Sequence, residues 1–222
     1  MSIRKYKHQF STINLNAIKC IFLTIFIFTS VSAHGETQRQ ILAFGDSLTA
    51  GYGLAPNEGF TVQLEEKLKT NGLKVNVINA GVSGDTSSGG FARLEWVLAS
   101  YSNLDLVILA LGANDALRGI NPDLTRGNIN KMLGILAARK IPTLIVGMIA
   151  PPNLGQIYGD NFNSIYPDMA KKYNIPLYPF FLEGVAGKPD LNQNDRIHPN
   201  PTGVNIITDK MSPLIIDLLE HN

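Results

Sequence analysis

The chain has 222 residues with 19 basic and 18 acidic side chains, so its charge is close to neutral and nothing in it suggests a nucleic-acid partner. A single cysteine, Cys20, excludes a disulfide scaffold and a cysteine-based metal site. At the N-terminus, Arg4, Lys5, Lys7 and Lys19 precede a short apolar run over residues 20–28, followed by small residues up to Ala33. That order is the pattern of a secretory signal cleaved after Ala33. A membrane span needs about 20 apolar residues, more than this run supplies. Cys20 lies before the run and not at the cleavage point, which argues against lipid attachment. The expected organisation is a signal peptide over 1–33 and a single domain over 34–222, periplasmic or secreted, with no stable membrane anchor. The 189 residues that remain carry a net charge of −3 and no cysteine. Stability must then come from the core alone, and a chain of this length can bury one.

Five apolar runs predict strands: residues 41–44, 75–78, 106–111, 143–146 and 177–181. The third and fourth are almost continuous in Val, Ile and Leu, as in strands covered on both faces. Between them lie helical spacings: Phe60, Leu64 and Leu68; then Ile129, Met132, Leu133, Leu136 and Ala137. The last segment repeats the spacing with Val204, Ile207, Met211, Leu214, Ile215 and Leu218, where Pro213 is expected to kink or restart the helix. Alternating strands and helices predict an α/β fold, a parallel sheet with helices on both faces.

Ligands of such a sheet bind at the carboxyl ends of its strands. The residues that follow the five runs are therefore expected to converge on one edge. They are Gly45-Asp46-Ser47-Leu48, Gly81 to Asp85, Gly112-Ala113-Asn114-Asp115, Ala150-Pro151-Pro152 and, through a loop, Asp195-Arg196-Ile197-His198.

A serine hydrolase needs a hydroxyl, a base, a group that orients the base and donors for an oxyanion. Of the three histidines beyond residue 33, His34 and His221 are terminal, so His198 alone lies inside the expected fold. Asp195, three residues earlier, can turn back onto its imidazole. Taken alone, this pair also suits an ordinary surface loop ahead of Pro199 and Pro201. Ser47, directly after a strand, sits where a hydroxyl is presented beside helix N–H groups, but an N-cap serine would occupy the same place. Asn114 and Gly84 at the same edge favour the catalytic reading.

Other designs fit less well. No serine is flanked as Gly-x-Ser-x-Gly, Gly51-Tyr52-Gly53 lacks the third glycine of a dinucleotide fingerprint, and there is no phosphate loop. With one internal histidine and no cysteine, a zinc site is not expected. Asp46, Asp85 and Asp115 are read as acceptors for turn backbones rather than as a glycosidase carboxylate pair.

Together the blocks around Ser47, Gly84, Asn114 and Asp195-to-His198 resemble, in order and spacing, the four blocks of SGNH (GDSL-type) hydrolases. The stretches 111–119, 164–167, 176–181 and 197–200 most resemble the bacterial thioesterase I/protease I/lysophospholipase and arylesterase group. The resemblance implies a three-layer α/β/α, flavodoxin-like fold with a parallel five-stranded sheet, periplasmic residence and no cofactor. It implies Ser47 as nucleophile and backbone oxyanion donor, with Gly84 N–H and the Asn114 amide completing the hole. His198 is then the base and Asp195 its orienting partner. Ala113 departs from the glycine often found beside this asparagine, and its methyl is expected to narrow the acyl entrance.

The expected enzyme is a carboxylic ester hydrolase acting as a monomer on small acyl esters or thioesters through an acyl-enzyme. The acyl chain is expected against residues 116–121 and 153–158. A carbohydrate or cell-wall O-acetylesterase is the nearest alternative, and a non-catalytic binding module on the same fold is a more distant one.

Overall fold

The computed structural model describes residues 38–221, so the signal-peptide reading falls outside the described residues. Five strands, β1 (Arg39–Gly45), β2 (Val75–Gly81), β3 (Leu106–Ala110), β4 (Thr143–Val146) and β5 (Leu177–Tyr178), form one sheet. Their order is β2-β1-β3-β4-β5, and every pairing is parallel. This is the flavodoxin-like order, whose ligand crevice lies where β1 sends the chain one way and β3 the other.

Helices cover both faces: α1 (Ser47–Ala50), α2 (Phe60–Thr70), α3 (Ser87–Ala99), α4 (Ala113–Leu117), α5 (Pro122–Ala138), α6 (Gln156–Asn163), α7 (Ile165–Tyr173) and α8 (Pro201–Glu220). Side chains alternate across a strand, so β1 sends Ile41 and Ala43 to one face and Leu42 and Phe44 to the other. On the first face they meet Phe60, Leu64 and Leu68 of α2 and Val204, Ile207, Met211 and Ile215 of α8. On the second they meet Leu94 of α3, Ile129, Met132, Leu133 and Leu136 of α5, and Ile165 and Tyr166 of α7. The helical spacings in the sequence are these buried faces.

Two elements differ from expectation. The fifth strand stops at Tyr178 rather than residue 181, because Pro179 has no N–H for the ladder. The chain rejoins β4 when Phe181 N–H donates to Gly147 O at 2.9 Å. The last helix does not restart at Pro213 but runs unbroken from Pro201 to Glu220. Pro213 withholds an N–H from the Asp209 carbonyl, and the Ser212 hydroxyl reaches that oxygen instead, at 3.4 Å.

Candidate active site

Ser47 is the first residue of α1, directly beyond the carboxyl end of β1. Asp46 caps this short helix, with Oδ1 accepting from Leu48 N–H at 3.0 Å. The cap fixes the Ser47 side chain at the sheet edge, where Oγ lies 2.9 Å from His198 Nε2.

The histidine arrives on a loop drawn tight by its own hydrogen bonds. Arg196 N–H donates to Gln193 O, Gln193 N–H donates to His198 O, and Arg196 takes a left-handed φ of 60° at the bend. Few non-glycine residues adopt that conformation. Here it folds Asp195 back so that Oδ1 accepts the N–H groups of Ile197 at 2.9 Å and His198 at 3.0 Å. Oδ2 is left 2.7 Å from His198 Nδ1. Partial burial pushes the Asp195 carboxyl upward, but the His198 and Ile197 N–H groups and the His198 ring outweigh it and hold it at about 2. An ionised carboxylate only accepts, so Nδ1 carries the ring proton and Nε2 offers its lone pair to Ser47.

Gln193 staples the loop in place, its amide donating to Tyr52 O at 2.8 Å and Pro199 O at 3.0 Å. The Tyr52 ring packs against the imidazole at 4.7 Å between centroids.

Gly84 and Asn114 stand at the ends of β2 and β3 on either side of Ser47. Gly84 has φ of +84°, a conformation L side chains rarely adopt, and its carbonyl accepts from Arg118 at 2.9 Å. Among the described residues its N–H meets no acceptor. Gly112, φ +116°, turns the chain into α4 where a Cβ would fall 2.2 Å from the Tyr166 hydroxyl, which itself donates to Leu111 O. That turn brings the Asn114 amide to 2.9 Å from Asp85 O, with Asp46 Oδ2 at 3.5 Å. Burial pushes the Asp46 carboxyl up to about 6; Leu48 N–H and His198 oppose the rise, while Asp85 and Asp115 add to it.

The three aspartates beside the blocks have separate jobs. Asp46 serves turn backbone. Asp115, fully buried, accepts from Ser87 N–H at 2.7 Å, the Ser87 hydroxyl at 2.5 Å and the Thr125 hydroxyl at 3.0 Å, tying α3 to α5. Neither Asp115 nor Asp85 serves its own turn backbone as expected, and the Asp85 carboxylate pairs with Arg93 Nε at 2.6 Å. This partner lies on the next helix, beyond the local turn.

A cavity of about 740 Å³ opens beside Ser47 and His198. Ala113, Ala116 and Leu117 line it on one side, Met148, Ala150 and Pro151 on another, and Phe180 and Leu182 on a third. Residues 116–117 of the first expected acyl segment are present, but none of 153–158. The lining comes from residues 148–152 because α6 turns away: Tyr158 donates to Ile120 O at 2.8 Å and stacks on Phe162. Among the described residues no group of three His, Cys, Asp or Glu side chains is placed to hold a metal.

A hydroxyl, an imidazole and a carboxylate in series, beside amide donors at the switch point of a parallel sheet, are the parts of a serine hydrolase. Residues 43–206 match the GDSL-like Lipase/Acylhydrolase family, and the chain belongs to it. An arylesterase of Vibrio mimicus is 37% identical over 81% of this chain and 89% of its own. Thioesterase 1/protease 1/lysophospholipase L1 of Escherichia coli K12 is 36% identical over 90% of this chain and 93% of its own. Among solved structures, AlinE4, an SGNH-hydrolase family esterase, superposes with a TM-score of 0.70 at 47% identity, covering 82% of this chain and 96% of its own. The protein is an ester hydrolase on an SGNH fold.

Proposed function

We propose that the chain hydrolyses acyl esters and thioesters through an acyl-enzyme on Ser47. Ser47 Oγ attacks the carbonyl carbon as His198 Nε2 takes its proton. Collapse of the tetrahedral adduct expels the alcohol or thiol, which leaves with that proton. Water then attacks the acyl-enzyme by the same route, returning Ser47 and releasing the acid. No cofactor enters this sequence. Asp195 keeps the proton on Nδ1 and stabilises the imidazolium, and the N–H groups of Ser47 and Gly84 with the Asn114 amide receive the oxyanion.

The observation that carries the reading is the unbroken series from Ser47 Oγ through both His198 nitrogens to Asp195, 2.9 and 2.7 Å, at the mouth of the apolar cavity. The size of that cavity favours a medium or long acyl chain over an acetyl group. A series of p-nitrophenyl esters of increasing chain length tests this: kcat/KM should rise beyond acetate. A rate confined to acetate would instead support an O-acetylesterase. Ser47→Ala should fall to a residual acceleration of about 10³–10⁴ over water.

The proposed working form is a monomer exported after cleavage behind Ala33, on the signal pattern of residues 1–33. N-terminal sequencing of exported protein should begin at His34; an intact Met1 in a membrane fraction contradicts it.

A further inference from the structure

One charged side chain is bonded to the frame of the whole oxyanion site without touching the reacting atoms. Arg93 projects from α3 beneath the carboxyl ends of β1 and β2, with its guanidinium 4.0 Å from the Phe44 ring centroid. Its three kinds of nitrogen each have an acceptor. Nε donates to Asp85 Oδ2 at 2.6 Å, Nη1 to Ala80 O at 2.9 Å and Nη2 to Gly45 O at 2.9 Å. The side chains of Arg93 and Asp85 are only 19% and 15% exposed, so these bonds face little competition from water.

Two of these acceptors, Gly45 O and Asp85, lead to the proposed oxyanion donors. Gly45 O ends β1 two residues before Ser47 and also receives Val82 N–H at 3.0 Å, which joins the first block to the loop carrying Gly84. Asp85 is the residue after Gly84, and its own carbonyl holds the Asn114 amide at 2.9 Å. Arg93 thus links, directly or through Asp85, the three strand ends from which Ser47 N–H, Gly84 N–H and Asn114 Nδ2 arise. A planar fork aims separate nitrogens at the three acceptors, whereas an ammonium carries all its N–H groups on one nitrogen.

We propose that Arg93 is the positioning residue of the oxyanion hole. The inference rests on the acyl-enzyme reading above. Oxyanion donors act more strongly on the transition state than on the bound ester, so their misplacement lowers kcat and leaves KM nearly unchanged. Displacements of about 1 Å in a catalytic array cost up to about 10²-fold.

The experiment compares wild type, Arg93→Ala and Arg93→Lys, with active sites counted by stoichiometric phosphonate titration and kcat expressed per titrated site. The expected result for Arg93→Ala is a loss of about 10- to 100-fold in kcat per site with KM within about twofold. Arg93→Lys, which keeps the charge and loses the fork, should also lose several-fold in kcat per site. Should Arg93→Ala not fold, Arg93→Lys decides alone. A purely structural role would lower melting temperature and the titratable fraction while kcat per site stayed at the wild-type value. That outcome in the lysine variant overturns the proposal. Failure of the wild type itself to titrate at Ser47 would instead reject the acyl-enzyme reading.

Discussion

Asp195 holds His198 twice: Oδ1 accepts its backbone N–H at 3.0 Å and Oδ2 faces its ring Nδ1 at 2.7 Å. One carboxylate therefore sets both the path of the chain through His198 and the orientation of the imidazole. The first prediction separates these effects. Asp195→Asn retains an acceptor for the backbone but offers an amide donor or a weaker acceptor to the ring. Its kcat should fall by about 10²–10⁴ with a smaller loss of melting temperature than in Asp195→Ala, which should lose both activity and loop order. With the native carboxyl held at about 2, its contribution to stability is present above the ordinary aspartate range and is lost as pH falls through about 2. Acid melts of wild type and Asp195→Asn should accordingly diverge above that window and converge below it.

Asn114 and Asp115 are neighbours with opposite surroundings, and substitution should split them cleanly. Asn114→Ala should reduce kcat by about 10²–10³ with little effect on KM. Asp115 accepts three hydrogen bonds in the interior, and Asp115→Asn replaces one acceptor oxygen with an NH2 group, so that either the Ser87 N–H loses its acceptor or the Ser87 and Thr125 hydroxyls must turn to accept. It should cost about 1–3 kcal/mol in denaturant unfolding while kcat per titrated site is maintained. Near-normal kcat in Asn114→Ala, with Asp115→Asn folded but inactive, would reverse the two assignments.

Asp46 gives a pH dependence of the opposite sign to Asp195. Its native pKa is raised to about 6 by burial, so folding holds its proton more tightly than the unfolded chain does. The associated stability is complete below the ordinary carboxylate range and is lost as pH rises through about 6. Asp46→Asn keeps a side-chain cap for Leu48 N–H and has no such loss. The melting temperature of the variant relative to wild type should therefore rise between about pH 4 and 6 and level off above, as the linkage relation requires. A flat difference across that range would contradict the assignment.

The α/β layering was legible because both faces of the sheet impose their own periodicity: near-continuous Val, Ile and Leu in β3 and β4, and i, i+4 spacing in α2 and α8. Ser47, Gly84, Asn114 and the Asp195–His198 pair could be singled out because each follows a strand or sits on a short local turn. The early end of β5 was readable too, since Pro179 has no N–H for the ladder. Two features depended on contacts between distant segments: α6 folded Tyr158 over Ile120 and handed the cavity wall to residues 148–152, and Arg93 met its acceptors only after β1, β2 and α3 had packed. An arginine inside an amphipathic helix reads as solvated surface until its neighbours are known.

The central claim is that Ser47 is the nucleophile activated by His198, and mass spectrometry of the protein after reaction with an organophosphonate tests it most directly. One adduct per chain, on Ser47, with loss of all esterase activity, is the predicted result. An adduct on Ser83, Ser87 or Ser88, or full activity in protein labelled at Ser47, would contradict it.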